Sequence, residues 1–181
     1  MFANGDLSEE AGMSLYVARD EASWRLCALR GDEEPMISKG LVQPQLWTNV
    51  CLTYDGLQTQ SLYVDGVLDS QISTCLPISD VLEEPKLRIG ADLSNGSDNG
   101  KDCFSGAISR VDVWNRALTA EEVKSYAAEE PSFDAEGLQA SYDLSFADIN
   151  NAVSSDPIGL RNGLAVDDVR LEAGTTPIPT A

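Results

Sequence analysis

Histidine is absent from the 181 residues, and that gap excludes much familiar chemistry. Without imidazole there is no Ser-His-Asp triad, no Cys-His dyad and no histidine-containing zinc site. Acid–base work would fall to carboxylates, lysine or tyrosine. Basic residues are scarce too: 12 Lys and Arg face 30 Asp and Glu, a formal charge of −18. Such a surface repels nucleic acid and anionic lipid, which both reward a basic face, and it attracts cations. Solubility alone is the commoner reason for a large net charge. No run approaches the ~18 apolar residues of a spanning helix, so membrane insertion is not expected. Cys27, Cys51, Cys75 and Cys103 show no C-x-x-C spacing, which argues against a thioredoxin-type site or a zinc ribbon. An even number suits two disulfides in an oxidising compartment, Cys27–Cys51 with Cys75–Cys103 being one of three connectivities. Four buried free thiols are the other reading.

What is present is strand-like. The hydrophobic fraction is 43% with 14 Gly and 8 Pro, proportions of one folded domain with a substantial core. Short runs at Ser14–Ala18, Trp24–Leu29, Trp47–Tyr54, Ser61–Val64, Leu68–Ile72, Lys86–Ile89 and Phe104–Trp114 are separated by turn signals. In Trp47–Tyr54, Val50, Leu52 and Tyr54 fall on one face, with Trp47, Asn49 and Cys51 on the other. Asp55-Gly56 and Asp65-Gly66 are hairpin signals. A single break in alternation predicts a bulge between Ile108 and Val111. Thr119 followed by Glu122 is a capping box that opens one short helix near residues 119–128. The fold class is all-β, an antiparallel sandwich or jelly roll.

The ordered pieces Leu46–Gly56 (LWTNVCLTYDG), Leu62–Gly66 (LYVDG), Leu87–Ala91 (LRIGA), Phe104–Ile108 (FSGAI) and Val111–Leu118 (VDVWNRAL), followed by Thr119–Val123, resemble a LamG-like jelly roll of the concanavalin A-like lectin/glucanase superfamily. Laminin G and pentraxin domains are its relatives. Residues 1–130 correspond to that core without its usual opening strands. A similar opening occurs late, at Leu138–Leu144 (LQASYDL), so residues 131–173 either complete the same sandwich or start a next repeat. Residues 174–181 read as a Pro/Thr linker. Met1–Asp6 has neither a basic n-region nor an apolar h-region. An extracellular or cell-surface location therefore implies a chain processed or excerpted from a longer secreted protein.

The resemblance implies a non-catalytic recognition module binding glycan or glycoprotein. The alternatives are an assembly or adhesion module joined to neighbouring domains or chains, and an accessory domain of a polysaccharide-active enzyme. Retaining glucanases of this superfamily hold two carboxylates on one strand by a Glu-x-Asp-x-Glu alternation. No such pattern occurs in the chain, so no catalytic residue is assigned. Residues 92–102 gather Asp92, Asn95, Asp98, Asn99 and Asp102 on a glycine-rich loop. Asp92, Asn95, Asp98 and Asp102 are hard oxygen donors of the kind Ca2+ takes, at a position similar to the pentraxin calcium loop. An ordinary polar hairpin loop is the plainer reading. Asn95-Gly96-Ser97 is also a glycosylation sequon. Trp24, beside Asp20 and Glu21, is the candidate stacking platform, with Asn95 and Asn99 as ligand contacts. Trp47 and Trp114 are expected to pack inside.

Overall fold

The structure is a computed structural model, and it describes residues 2–4, 13–30, 34–73, 87–90 and 104–143. Among these residues the strands are β1 (Phe2–Asn4), β2 (Met13–Asp20), β3 (Ser23–Arg30), β4 (Met36–Ile37), β5 (Val50–Tyr54), β6 (Gln60–Val64), β7 (Val67–Ile72), β8 (Leu87–Ile89), β9 (Arg110–Trp114) and β10 (Leu138–Asp143). A helix, α1 (Ala120–Ala128), lies between the last two. One sheet has the order β4-β3-β2-β1-β8, a second β5-β6-β7, and β9 pairs with β10. All pairings are antiparallel.

The two larger sheets face each other across one apolar layer. Period-2 alternation turns Leu15 and Val17 of β2, Leu26 and Ala28 of β3, and Met36 of β4 inward. They meet Val50, Leu52, Leu62, Val64 and Ile72 from the facing sheet. Leu62 is 0% exposed, because its strand is central and covered on both faces. The second cover is α1. Tyr63, on the outer face of β6, packs with Leu118 and Val123, and Cys51, Trp114 and Tyr126 close around them.

The helix begins where the sequence places it. Glu122 N–H donates to Thr119 Oγ1 at 3.3 Å, and Thr119 N–H donates back to Glu122 Oε2 at 2.8 Å, completing the capping box. Arg116 grips the same carboxylate with both terminal nitrogens, at 2.9 and 2.6 Å. Asp65 and Gly66, both at positive φ (48° and 74°), form a two-residue hairpin turn of the type that matches strand twist. Gly66 is also required by packing, since a Cβ there would sit 3.1 Å from Ala127 Cβ and from Lys124 Cα.

Three expectations change. The predicted bulge between Ile108 and Val111 is not in β9, which starts at Arg110; the register shift lies on its partner, between Leu138 and Ala140. Trp47 stands 40% exposed, whereas Trp114 does pack, stacked on Tyr126 at 5.2 Å between ring centroids. Cys27 and Cys51 are free thiols, not a disulfide. Leu26 and Ala28 take the inner face of β3, so Cys27 between them points outward; Val50 and Leu52 do the same to Cys51 on the opposite sheet. The two sulfurs therefore lie on the outer faces of different sheets. Burial pushes the Cys51 thiol up to about 11. Burial raises Cys27 as well, against bonds from the Ala18 backbone and the Tyr16 side chain. Cys75 and Cys103 lie outside the described residues.

Candidate functional site

One end of the sandwich is built from the turn joining β2 to β3 and from the connection that runs from β4 to β5. The turn is stiffened locally. Glu21 adopts φ 52°, and its carbonyl accepts from Arg19 Nε at 3.0 Å. Arg25 pairs with Asp20 at 3.3 Å and donates from Nη1 to the carbonyls of Ser38 and Lys39, both at 2.8 Å. This one guanidinium ties the turn to the start of the connection.

The connection is fastened from the other sheet as well. Asp69 of β7 accepts from the backbone N–H of Lys39 (2.7 Å) and Gly40 (2.8 Å) and from Ser70 Oγ (2.7 Å). Partial burial alone would raise the Asp69 carboxyl, but the bonds from Ser70, Gly40 and Lys39 outweigh it and hold the group below its ordinary range. Ser38 Oγ accepts from Leu26 N–H at 3.1 Å and donates to the Gly40 carbonyl at 2.7 Å. At the far end, Asn49 N–H donates to Asp65 Oδ1 and Asp65 N–H to the Asn49 carbonyl, each at 2.8 Å.

Between these anchors the connection is presented to solvent. Trp24, 41% exposed, pairs with Val42 by a bridge whose Val42 N–H donates to the Trp24 carbonyl at 2.8 Å. Its register partner on β2 is Arg19. Next comes a turn closed by Leu46 N–H on the Gln43 carbonyl at 3.4 Å. Pro44 sits second in it and Gln45, at φ 69°, third. That is the type II arrangement, in which the third position normally goes to glycine or asparagine. Gln43, Gln45, Leu41, Leu46 and Trp47 are all exposed. The connection thus leaves Trp24 and Trp47 part-exposed, with the exposed Gln43 and Gln45 preceding Trp47 in sequence. Indoles can stack, and primary amides can both donate and accept hydrogen bonds.

Trp24 is thus placed on this rim. Asp92, Asn95, Asp98, Asn99 and Asp102, and with them the calcium and sequon readings, lie outside the described residues. Among the described residues no group of three or more acidic or cysteine side chains could hold a metal ion. Gln43, Gln45 and Trp47 were not anticipated as site residues. The available signal was Gln-Pro-Gln, a turn whose third residue has a side chain where glycine is easier.

Residues 2–124 match the sequence profile of the concanavalin A-like lectin/glucanases superfamily. The chain belongs to that superfamily. Two solved structures share its lectin/glucanase fold. One is a candidate carbohydrate binding protein from Bacteroides ovatus, 19% identical with a TM-score of 0.61, covering 96% of this chain and 54% of its own. The other is the native heptameric SAP-like pentraxin from Limulus polyphemus, 18% identical with a TM-score of 0.50, covering 75% of this chain and 63% of its own. The chain therefore spans about half the length of the Bacteroides protein. No curated protein is similar enough in sequence to be matched. Among the described residues no helix is long and apolar enough to cross a membrane.

Proposed function

We propose that this chain is a non-catalytic glycan-recognition module of a secreted or cell-surface protein. The observation that carries the reading is Trp24: a large aromatic left 41% exposed on a rim held by Arg25 and Asp69. An indole left exposed on a backbone that is tied down is suited to stack on the apolar face of a sugar ring. The Bacteroides protein, with its carbohydrate-binding description, supports the same direction. The sequence holds no Glu-x-Asp-x-Glu alternation of the kind that retaining glucanases use, which favours recognition over hydrolysis. The sequence adds Asp92, Asn95, Asp98 and Asp102 as the residues that would hold a calcium ion, and Asn95 and Asn99 as further ligand contacts.

The alternative reading is an assembly module joined to a neighbouring domain or chain. β10 lies beyond the matched residues 2–124 and pairs with β9 of this same chain, which supports completion of this sandwich over a strand offered to a neighbour.

A glycan-array screen of the wild type and Trp24→Ala, each with calcium and with chelator, tests the proposal. Binding by the wild type that Trp24→Ala abolishes is the expected result. Loss on chelation would add the metal, and indifference to chelation would remove it. No binding under either condition overturns the glycan reading in favour of assembly.

A further inference from the structure

We infer that the rim takes an uncharged oligosaccharide of more than one sugar unit, laid from Trp24 to Trp47 across the Gln43–Leu46 turn. This rests on the glycan-recognition reading above and goes beyond it in naming the class of chain and its second platform.

The reach follows from the backbone. A bridge partner lies ~5 Å away between Cα atoms, which places Val42 beside Trp24. The hydrogen-bonded turn keeps the Cα atoms of Gln43 and Leu46 within about 7 Å, and one further step at each end leads from Val42 to Trp47. The two tryptophans are therefore within roughly 20 Å of each other between Cα atoms. The backbone that joins Val42 to Trp47 runs through the exposed Gln43–Leu46 turn. A single ring stacked on Trp24 would leave Trp47 untouched, so the second platform points to a chain.

The charge follows from the side chains on the same rim. A sulfated or uronate-bearing glycan needs a guanidinium fork that is open toward it. Arg25 is engaged by Asp20 and by two carbonyls; Arg19, held through Nε by the Glu21 carbonyl, and the exposed Lys39 are the rim cations that the charged chains in the test below probe. The whole chain carries −18 and repels polyanions besides. What lies between the tryptophans is Gln43 and Gln45, whose amides both donate and accept and so match neutral hydroxyls. Gln45 holds φ 69°, where glycine would be easier. A strained backbone that keeps a functional side chain is a common mark of a binding site.

Calorimetric titration with a neutral oligosaccharide series from mono- to hexasaccharide, the neutral chain chosen from the array hits, tests the inference alongside sulfated and uronate chains of equal length. Wild-type affinity should rise with length and then level off, with charged chains weaker at every length. Trp47→Ala should lower long-chain affinity about tenfold, to the short-chain value, without moving short-chain binding. Trp24→Ala should remove both. Gln45→Gly should raise Tm by relieving the turn while weakening binding, which separates an amide contact from a structural role. If Trp47→Ala leaves the length dependence intact while Trp24→Ala still abolishes binding, the extended site is wrong and the glycan reading stands. If charged chains bind more tightly, the neutral class is wrong. If Trp24→Ala changes nothing at any length, the glycan reading itself fails at this rim. Unchanged Tm values for both alanine variants confirm that folding is not the cause.

Discussion

Arg116 and Asp55 show how single side chains set the acid tolerance of this domain. The Arg116 fork on Glu122, with the Thr119 backbone bond, draws that carboxyl down from 4.5 to about 2. Asp55 Oδ1 accepts from Thr59, Leu57 and Gln58 N–H groups, which draw it from 3.8 to about 2. Both values are depressed on folding, so both groups stabilise the fold above their ordinary range, and that contribution is lost as pH falls toward about 2. Thermal melts across that window should therefore show Tm falling with acid in the wild type. Glu122→Gln keeps the capping geometry but not the charge; it should melt lower at neutral pH and follow a flatter acid limb. A wild-type limb no steeper than the variant's would rule out this role for Glu122. The cysteines show where residue-level reading stopped. Alternation in β5 already set Cys51 opposite Val50 and Leu52, but in β3 the sequence offers apolar residues on both faces. Leu26 and Ala28 compete there with Cys27 and Leu29, and only the facing sheet decides which pair turns inward.

At the scale of elements, local chemistry was the readable part. Asp65-Gly66 and Thr119–Glu122 announce their turn and helix because each motif satisfies its own backbone groups. Asp55-Gly56 signals a turn too, but Asp55 caps three successive N–H groups and opens a wider loop. The bulge was misplaced because a break in alternation marks an irregular ladder without saying which strand carries it. Helix and hairpin meet at Gly66, and that contact can be measured. Gly66→Ala and Gly56→Ala both place alanine at positive φ, 74° and 78°, a backbone cost of about 1–2 kcal/mol each. A Cβ at Gly56 meets nothing within 4 Å, whereas at Gly66 it meets the helix. Gly66→Ala should therefore lose about 1–3 kcal/mol more, as overpacked sites do. Denaturant titrations that gave equal losses would mean that α1 shifts aside freely and does not brace the second sheet.

For the whole molecule, the jelly-roll class could be read from strand spacing and ordered motifs, but the rim could not. The connection from β4 to β5 has no periodicity, and its position depends on Asp69, thirty residues from Lys39 in sequence. Net charge acts at this scale as well. A formal −18 on 181 residues makes the folded chain repel itself, and salt should relieve that repulsion once the screening length shortens to ~10 Å near 0.1 M. Tm should thus rise with NaCl. Mg2+ and Ca2+ at matched ionic strength then separate screening from a site. Screening treats the two ions alike. A set of oxygen donors without strict octahedral geometry favours Ca2+, because Mg2+ demands tighter geometry and gives up its water reluctantly. If residues 92–102 bind calcium, Tm should rise further with Ca2+ alone, following the logarithm of its concentration as a bound ligand requires. Asp98→Asn with Asp102→Asn should erase that extra rise while leaving the NaCl response in place. Equal responses to both divalent ions would make the acidic loop a solvated surface, and the recognition chemistry would then rest on the tryptophan rim alone.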